Sequence, residues 1–368
     1  MTIFNIFKPK PNIAVLNGVL PDTRPPEEKA KDYRFEELFT AAPLNWVDFD
    51  TWKQDPKNQK MLNDIQVNNQ YQSYSCASQS SSLALAINNY IETGVFRKFS
   101  AKPIYARRRN NPDIGMFMDD VGNICTTYGT VYDILYPSPN IENQMNDLNG
   151  YTDDFEAIGK ILKAQSYIWV TGSIDNYAQV ASMGKPVVIT VTFGEDEWGN
   201  EMVPQIRDTV TKYGHAITIL PNGYFTYQGK KAVLIQDSWG TGVGWNGRRI
   251  LTEDWFNQQR VLFGIWFEDL NNLAVFNNSP DLPKIHYQWT RDLSVGMSGN
   301  DVAMLQVALG TIKDNNGYLF PLVNGQAPTG YYGGLTRAGV KRLQAMYGIP
   351  VDGICNLAVR VKLNDMFS

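Results

Sequence analysis

Four side chains of this 368-residue chain could do covalent chemistry together if folding gathered them. They are the thiol of Cys76, the imidazole of His215, the carboxylate of Asp237 and the amide of Gln70. The thiolate, not the thiol, is the nucleophile, and a helix N-terminus beside an imidazolium favours it. Cys76 stands where the polar loop Asn68 to Ser75 gives way to a run of small and then apolar residues. His215, in Tyr213-Gly214-His215-Ala216, would act as base. Asp237, heading Asp237-Ser238-Trp239-Gly240, would hold the ring in one orientation. Trp239 would cover the pair and exclude water, which strengthens a charged contact. An oxyanion formed on a carbonyl needs donors. The Cys76 N–H is one, and the Gln70 amide, six positions upstream, is the other.

These residues need elements to bring them together. The run from Cys76 to Ile91 predicts a helix that stops at Gly94, buried on several sides because small residues fall on nearly every face. Strands are predicted at Pro186–Phe193, His215–Leu220, Ala232–Ile235 and Val261–Phe267, rich in Val, Ile and Phe and bounded by Gly, Asn and Asp. A helical first half followed by an antiparallel second half is an α+β architecture, with a cleft between two lobes. Residues 1–40, with Pro21, Pro25 and Pro26, look like an arm or short leader; Asp32–Leu38 would add about two helical turns. After residue 272 the composition becomes that of a linker, to about residue 290. Three short helices follow. Val302, Leu305, Gln306 and Leu309 mark the first, and Leu335, Val340, Leu343 and Tyr347 the second. Asn356 would cap the third, with Leu357, Val361 and Met366 facing inward.

Composition narrows the partners. Hydrophobic residues make up 43% and charged residues 19%, which suits a folded chain. A net charge of −4 argues against nucleic acid as a partner. The run Arg107-Arg108-Arg109 is expected to be a solvated face rather than a phosphate patch. Three widely spaced cysteines make neither a disulfide framework nor a zinc site, and two histidines exclude a histidine-rich metal centre. No cofactor or metal is expected. Cys125 and Cys355 read as inert buried thiols, and His286 as structural or exposed. Glu195-Asp196-Glu197 reads as a solvated loop rather than a calcium site, and Gly240 to Gly247 as turns rather than a phosphate loop. No apolar run is long enough for a membrane span, and the start lacks the charge-then-apolar order of a secretory signal.

The segment Asn69 to Ala77, with its Gln-to-Cys spacing, resembles the active-site segment of papain-like cysteine peptidases. Gly214-His215-Ala216 is similar to that family's histidine strand, and Asp237 to Gly247 to its Asn-Ser-Trp-Gly segment and the glycines after it. Met183 to Ile189 and Phe99 to Tyr105 are similar to further family segments, so the likeness runs from about Leu44 to Leu270. The family carries a Cys-His-Asn triad, and its histidine lies about 130–150 residues after the cysteine. Here the interval is 139. The resemblance implies a two-lobed fold and a peptide-hydrolysing site with Cys76 as nucleophile, His215 as base, Asp237 as orienting group and Gln70 as oxyanion donor. Three positions depart from the family. Asp237 replaces the usual Asn, Ala77 the usual aromatic residue, and Ser73 and Tyr74 occupy the loop where disulfide cysteines are usual.

Leu293 to Leu309 resembles the opening of a three-helix peptidoglycan-binding domain, and the likeness continues through Thr329–Thr336, Val340–Gln344 and Val351–Gly353. Gly339 stands where alanine is usual, and Cys355 near a usual glycine. The organisation expected is an arm at 1–40, a papain-like domain at 41–272, a linker at 273–290 and a small all-α domain at 291–368. The function expected is a cysteine endopeptidase acting on a peptide or protein substrate, held to bacterial peptidoglycan by residues 291–368. It would work at the cell envelope, either as a phage lysin or virion-associated peptidase or after export by another route. The alternative is a weak or inactive peptidase fold serving as a wall-binding or structural component.

Overall fold

In the computed structural model, residues 18–39, 43–139, 141–207, 210–268, 287–314, 317–320 and 330–367 are described. The small-residue run forms helix α1, Cys76–Thr93. No residue in it breaks a helix. Gly94 ends it at φ 73°, its N–H returning to the Tyr90 carbonyl at 2.7 Å. Every residue from Cys76 to Asn89 is buried, because serine and alanine let other backbones come close on all sides. Helix α2 (Met118–Thr127) and shorter helices at Phe49–Gln54, Pro56–Asp64 and Lys102–Ala106 complete this lobe. A two-residue parallel ribbon joins β1 (Val19–Leu20) to β2 (Met116–Phe117).

The second half builds a sheet from β3 (Tyr167–Val170), β4 (Val187–Phe193), β5 (Tyr213–Tyr227), β6 (Lys230–Gln236), β7 (Arg248–Thr252) and β8 (Val261–Phe267). Its order is β3-β8-β4-β5-β6-β7, and every pairing is antiparallel. β4 is buried at every position but Thr192 because α1 packs on one face of the sheet and helix α3 (Ile174–Ser182) on the other. β5 runs well past the expected end at Leu220. It accommodates Pro221 in an irregularity between Ile219 and Tyr224, the kind of position where a missing N–H is tolerated. β3 and β7 are additions to the expected strands. β3 has only four residues, and paired arginines hide the apolar character of β7.

Two hydroxyl contacts set α1 against β5. Ser80 donates to the Ala216 carbonyl at 2.8 Å, and Thr218 donates to the Ser80 carbonyl at 3.1 Å. Ser80 is about one turn from Cys76, and Ala216 follows His215. The packing of a helix on a strand therefore decides that a sulfur meets an imidazole.

The N-terminal segment is not a free arm. From Gly18 onward it lies on the protein, and Phe35 joins the core cluster of Ile168, Val170 and Trp266. The expected two-turn helix is a single turn, Phe35–Leu38. Residues 298–367 contain helices α4 (Asn300–Thr311), α5 (Gly334–Met346) and α6 (Leu357–Phe367). A short ribbon of Lys313–Asp314 with Gly317–Tyr318 interrupts the all-helical plan. Val302, Leu305, Gln306 and Leu309 are buried as predicted. On α5 Val340 and Leu343 are buried, but Leu335 and Tyr347 are exposed. On α6 the expectation fails: Val359 and Leu363 point inward, while Leu357, Val361 and Met366 are exposed. Apolar residues occur around this short helix, so two stripes fit the helical period and packing selects the other one. Asn356 caps α6 as predicted, accepting from Ala358 N at 3.1 Å and Val359 N at 3.2 Å. His286 and most of the expected linker lie outside the described residues. Among those described, no helix is long and apolar enough to cross a membrane.

Candidate active site

Cys76 opens α1 after the loop Asn68–Ser75. That loop is tied to the segment carrying Asp237. Gln70 N donates to the Ser238 carbonyl at 2.7 Å, Gly240 N donates to the Asn68 carbonyl at 3.0 Å, and the Ser238 hydroxyl donates to Gln70 Oε1 at 2.6 Å. Gln70 Nε2 donates to the Ser73 carbonyl at 3.0 Å, so both ends of its amide are fixed. Tyr74 N donates to a Glu142 carboxylate oxygen at 2.8 Å, and the Tyr105 hydroxyl donates to the other oxygen at the same distance. A hydrogen-bonded glutamate thus braces the loop in which the resemblance implies disulfides elsewhere.

His215 lies on β5 opposite Val191 of β4. Its Nε2 is 2.8 Å from Asp237 Oδ1. The backbone N–H of the next residue, Ala216, donates to the Cys76 sulfur at 3.4 Å. Nδ1 has no hydrogen-bond partner in the described structure, which leaves that nitrogen to the sulfur side of the ring. Burial by itself would lower the affinity of this ring for a proton. The Asp237 carboxylate, by charge and hydrogen bond, and the neighbouring Cys76 outweigh burial and push His215 up to about 9. For Asp237, burial opposes ionisation, but His215 and Arg249 hold its carboxyl well below the usual range. Trp239 lies over the imidazole with ring centroids 5.1 Å apart.

The structure therefore brings Cys76, His215, Asp237, Gln70 and Trp239 together. Sequence reasoning missed two neighbours. Trp198 donates its indole N–H to Asp237 Oδ2 at 3.0 Å, and Arg249 Nε donates to the same oxygen at 2.9 Å. Trp198 follows an acidic run and carries no local signal. Arg249 could have been suspected, because an acidic residue at the expected Asn position calls for a nearby cation. Other expectations are corrected. Glu197 is buried rather than solvated, accepting from Gly194 N and Arg207 N and pairing with Arg260. Arg108 is buried against four oxygen acceptors with its guanidinium stacked on Tyr105, and Arg107 and Arg109 pair with Glu156 and Asp119. Arg108 is an internal strut and Arg107 is half-buried, while Arg109 stays exposed, so the expected solvated face holds for Arg109 alone. Cys125 and Cys355 are fully buried, and burial pushes the Cys355 thiol up to about 12.

The cleft is filled by the chain's own N-terminal segment. Gly18 O accepts from Met116 N at 3.1 Å, and β1 runs parallel to β2. A Cβ on Gly18 would fall on the Cys76 sulfur and within 2.6 Å of the Tyr74 carbonyl oxygen. A Cβ on Gly214, just before His215, would meet Val19 at 3.0 Å. Two glycines thus permit the approach, and Cys76 and His215 have no exposed surface. Arg24 pairs with Asp32 inside the segment at 2.8 Å and holds it to the sheet by stacking over Trp169 at 5.0 Å. Beside it an open pocket of about 700 Å³ is lined by Leu20, Pro21, Trp169, Thr190, Gly214 and Phe263, among others.

Comparisons with known proteins agree with this architecture. A family model described as a putative peptidoglycan binding domain matches residues 298–363. Among solved structures, xylellain, a cysteine protease from Xylella fastidiosa, superimposes with a TM-score of 0.53 at 17% identity, covering 69% of this chain and 96% of xylellain. ProCathepsin B S9 from Trypanosoma congolense gives 0.51 at 14% identity, covering 69% of this chain and 87% of that one. No curated protein matches the sequence. The chain accordingly combines the papain-like cysteine-protease fold with a segment, residues 298–363, that matches a peptidoglycan-binding domain.

Proposed function

We propose that the protein is a cysteine endopeptidase directed at bacterial cell wall. The observation that carries this reading is the convergence of a buried sulfur, an imidazole and a carboxylate on one chain with a peptidoglycan-binding segment. The Cys76 thiol passes its proton to His215, and the thiolate attacks the carbonyl of a peptide bond, forming a C–S bond as the C=O double bond opens to an oxyanion. The Cys76 N–H and the Gln70 amide stabilise that oxyanion. The intermediate collapses with departure of the amine, which takes a proton from His215. Water, deprotonated by His215, then attacks the acyl-enzyme and frees the thiol. The substrate is a cross-linking peptide of peptidoglycan or a protein of the envelope. Delivery as a phage lysin or virion-associated peptidase suits a wall-binding hydrolase.

The filled cleft supports a latent form, in which residues 18–34 must leave before substrate enters. With the cleft opened by Gly18→Val, the test compares that variant and Gly18→Val/Cys76→Ala on purified sacculi and on casein, with new amino termini counted by mass spectrometry. The reading expects products from the first only. Equal yields from both forms would reject it and favour a non-catalytic wall component.

A further inference from the structure

We infer that Arg249 is a positioning residue that sets the charge of the Asp237–His215 pair. The inference deepens the peptidase reading and rests on it for the role of His215.

Asp237 and Arg249 are both removed from solvent. Asp237 uses its two oxygens differently. Oδ1 accepts from His215 Nε2 and from Ser238 N at 2.7 Å. Oδ2 accepts from Arg249 Nε and Trp198 Nε1. Arg249 is held in place for this contact. Its Nη1 donates to the Glu201 carbonyl at 2.8 Å, and its guanidinium lies 5.0 Å from the Trp198 ring and 5.7 Å from Trp239. Its Nη2 has no hydrogen-bond partner in the described structure. A buried cation with an unused donor is costly unless an anion balances it. The balancing anion is Asp237.

The other elements around the imidazole bring different groups. β4 contributes Val191 and Phe193, α1 contributes Cys76, and the loops contribute Trp198 and Trp239. The nearby Glu197 and Arg260 pair with each other. His215 therefore faces one carboxylate whose charge Arg249 offsets. Arg249 offsets part of the Asp237 charge, so the pair orients the ring and holds its proton less tightly than a lone buried carboxylate would.

This makes a counterintuitive prediction. Asp237→Asn keeps the size and the acceptor but strands the Arg249 charge beside the ring. The chain has only two histidines, so carbon-13 histidine spectra identify His215 by comparison with His286→Gln. In Asp237→Asn, the His215 titration midpoint should fall by at least about one pH unit, a tenfold loss of proton affinity. Asp237→Asn/Arg249→Met should recover part of that fall, the part due to the stranded Arg249 charge. Arg249→Lys should stay within about twofold of wild type in proton affinity, because it keeps the charge. An unchanged midpoint in Asp237→Asn, or a double variant no higher than the single, would overturn the inference. Asp237→Asn is close to isosteric and decides the matter alone if Arg249→Met does not fold. The titration needs no turnover. If it follows this pattern while Cys76-dependent hydrolysis is absent, the peptidase reading fails and the role of Arg249 stands.

Discussion

A protonated imidazole without solvent contact survives only where a counter-charge outweighs the loss of hydration. Asp237 supplies that charge to His215 at 2.8 Å, and the proton is held up to about pH 9. His215 therefore binds a proton more tightly folded than unfolded, where its midpoint is about 6.5. Its contribution to stability is complete below that value and disappears as the pH rises through about 9. Thermal melting should thus fall between pH 6.5 and 9, and His215→Gln should lose that part of the slope. A slope identical in both proteins would contradict the assignment. Asp237 acts oppositely: its folded midpoint is depressed, so its contribution is present above about 3.9 and fades under acid. Cys76, His215 and Asp237 were legible because their segments carry small local motifs. Trp198 and Arg249 were not, because their contacts arise where the loop after β4 and strand β7 meet a carboxylate from the loop after β6. No short window of sequence contains both partners.

At the scale of elements, the sheet and α1 were readable from apolar runs and from the small residues of Cys76–Ala86. The N-terminal segment was not. Its role depends on fit into a cleft made by residues 74, 116 and 214, far along the chain. That fit turns on Gly18. Gly18→Val would put methyl groups onto the Cys76 sulfur and the Tyr74 carbonyl, and backbone cannot yield as a flexible side chain can. The variant should open the cleft. Alkylation of Cys76 by iodoacetamide should accelerate at least about tenfold, while Cys125 and Cys355 stay protected. No change in the Cys76 rate would mean that the segment does not close the site. The link between α1 and β5 is smaller in effect. Ser80→Ala removes one buried hydrogen bond and should cost about 1 kcal/mol in a denaturant titration.

At the scale of the molecule, wall attachment and bond cleavage should be separable. The α6 stripe was misjudged because apolar side chains on both faces satisfy the period, yet its cap and the α4 stripe were read correctly. Gly339 also becomes intelligible: a Cβ there would lie 2.6 Å from the Leu319 carbonyl oxygen and 3.2 Å from Leu309. Gly339→Leu should destabilise that packing by about 1–3 kcal/mol. In the Gly18→Val background, co-sedimentation with sacculi should drop, while hydrolysis of a soluble peptide is retained; joint loss of both would refute independent roles. The whole account rests on cleavage passing through one sulfur. The direct measurement is the rate at which new amino termini appear in sacculi and casein, with the cleft opened by Gly18→Val and Cys76 either present or changed to Ala. The account predicts a loss of about a thousandfold or more when the sulfur is removed. Equal rates with and without it would contradict the account.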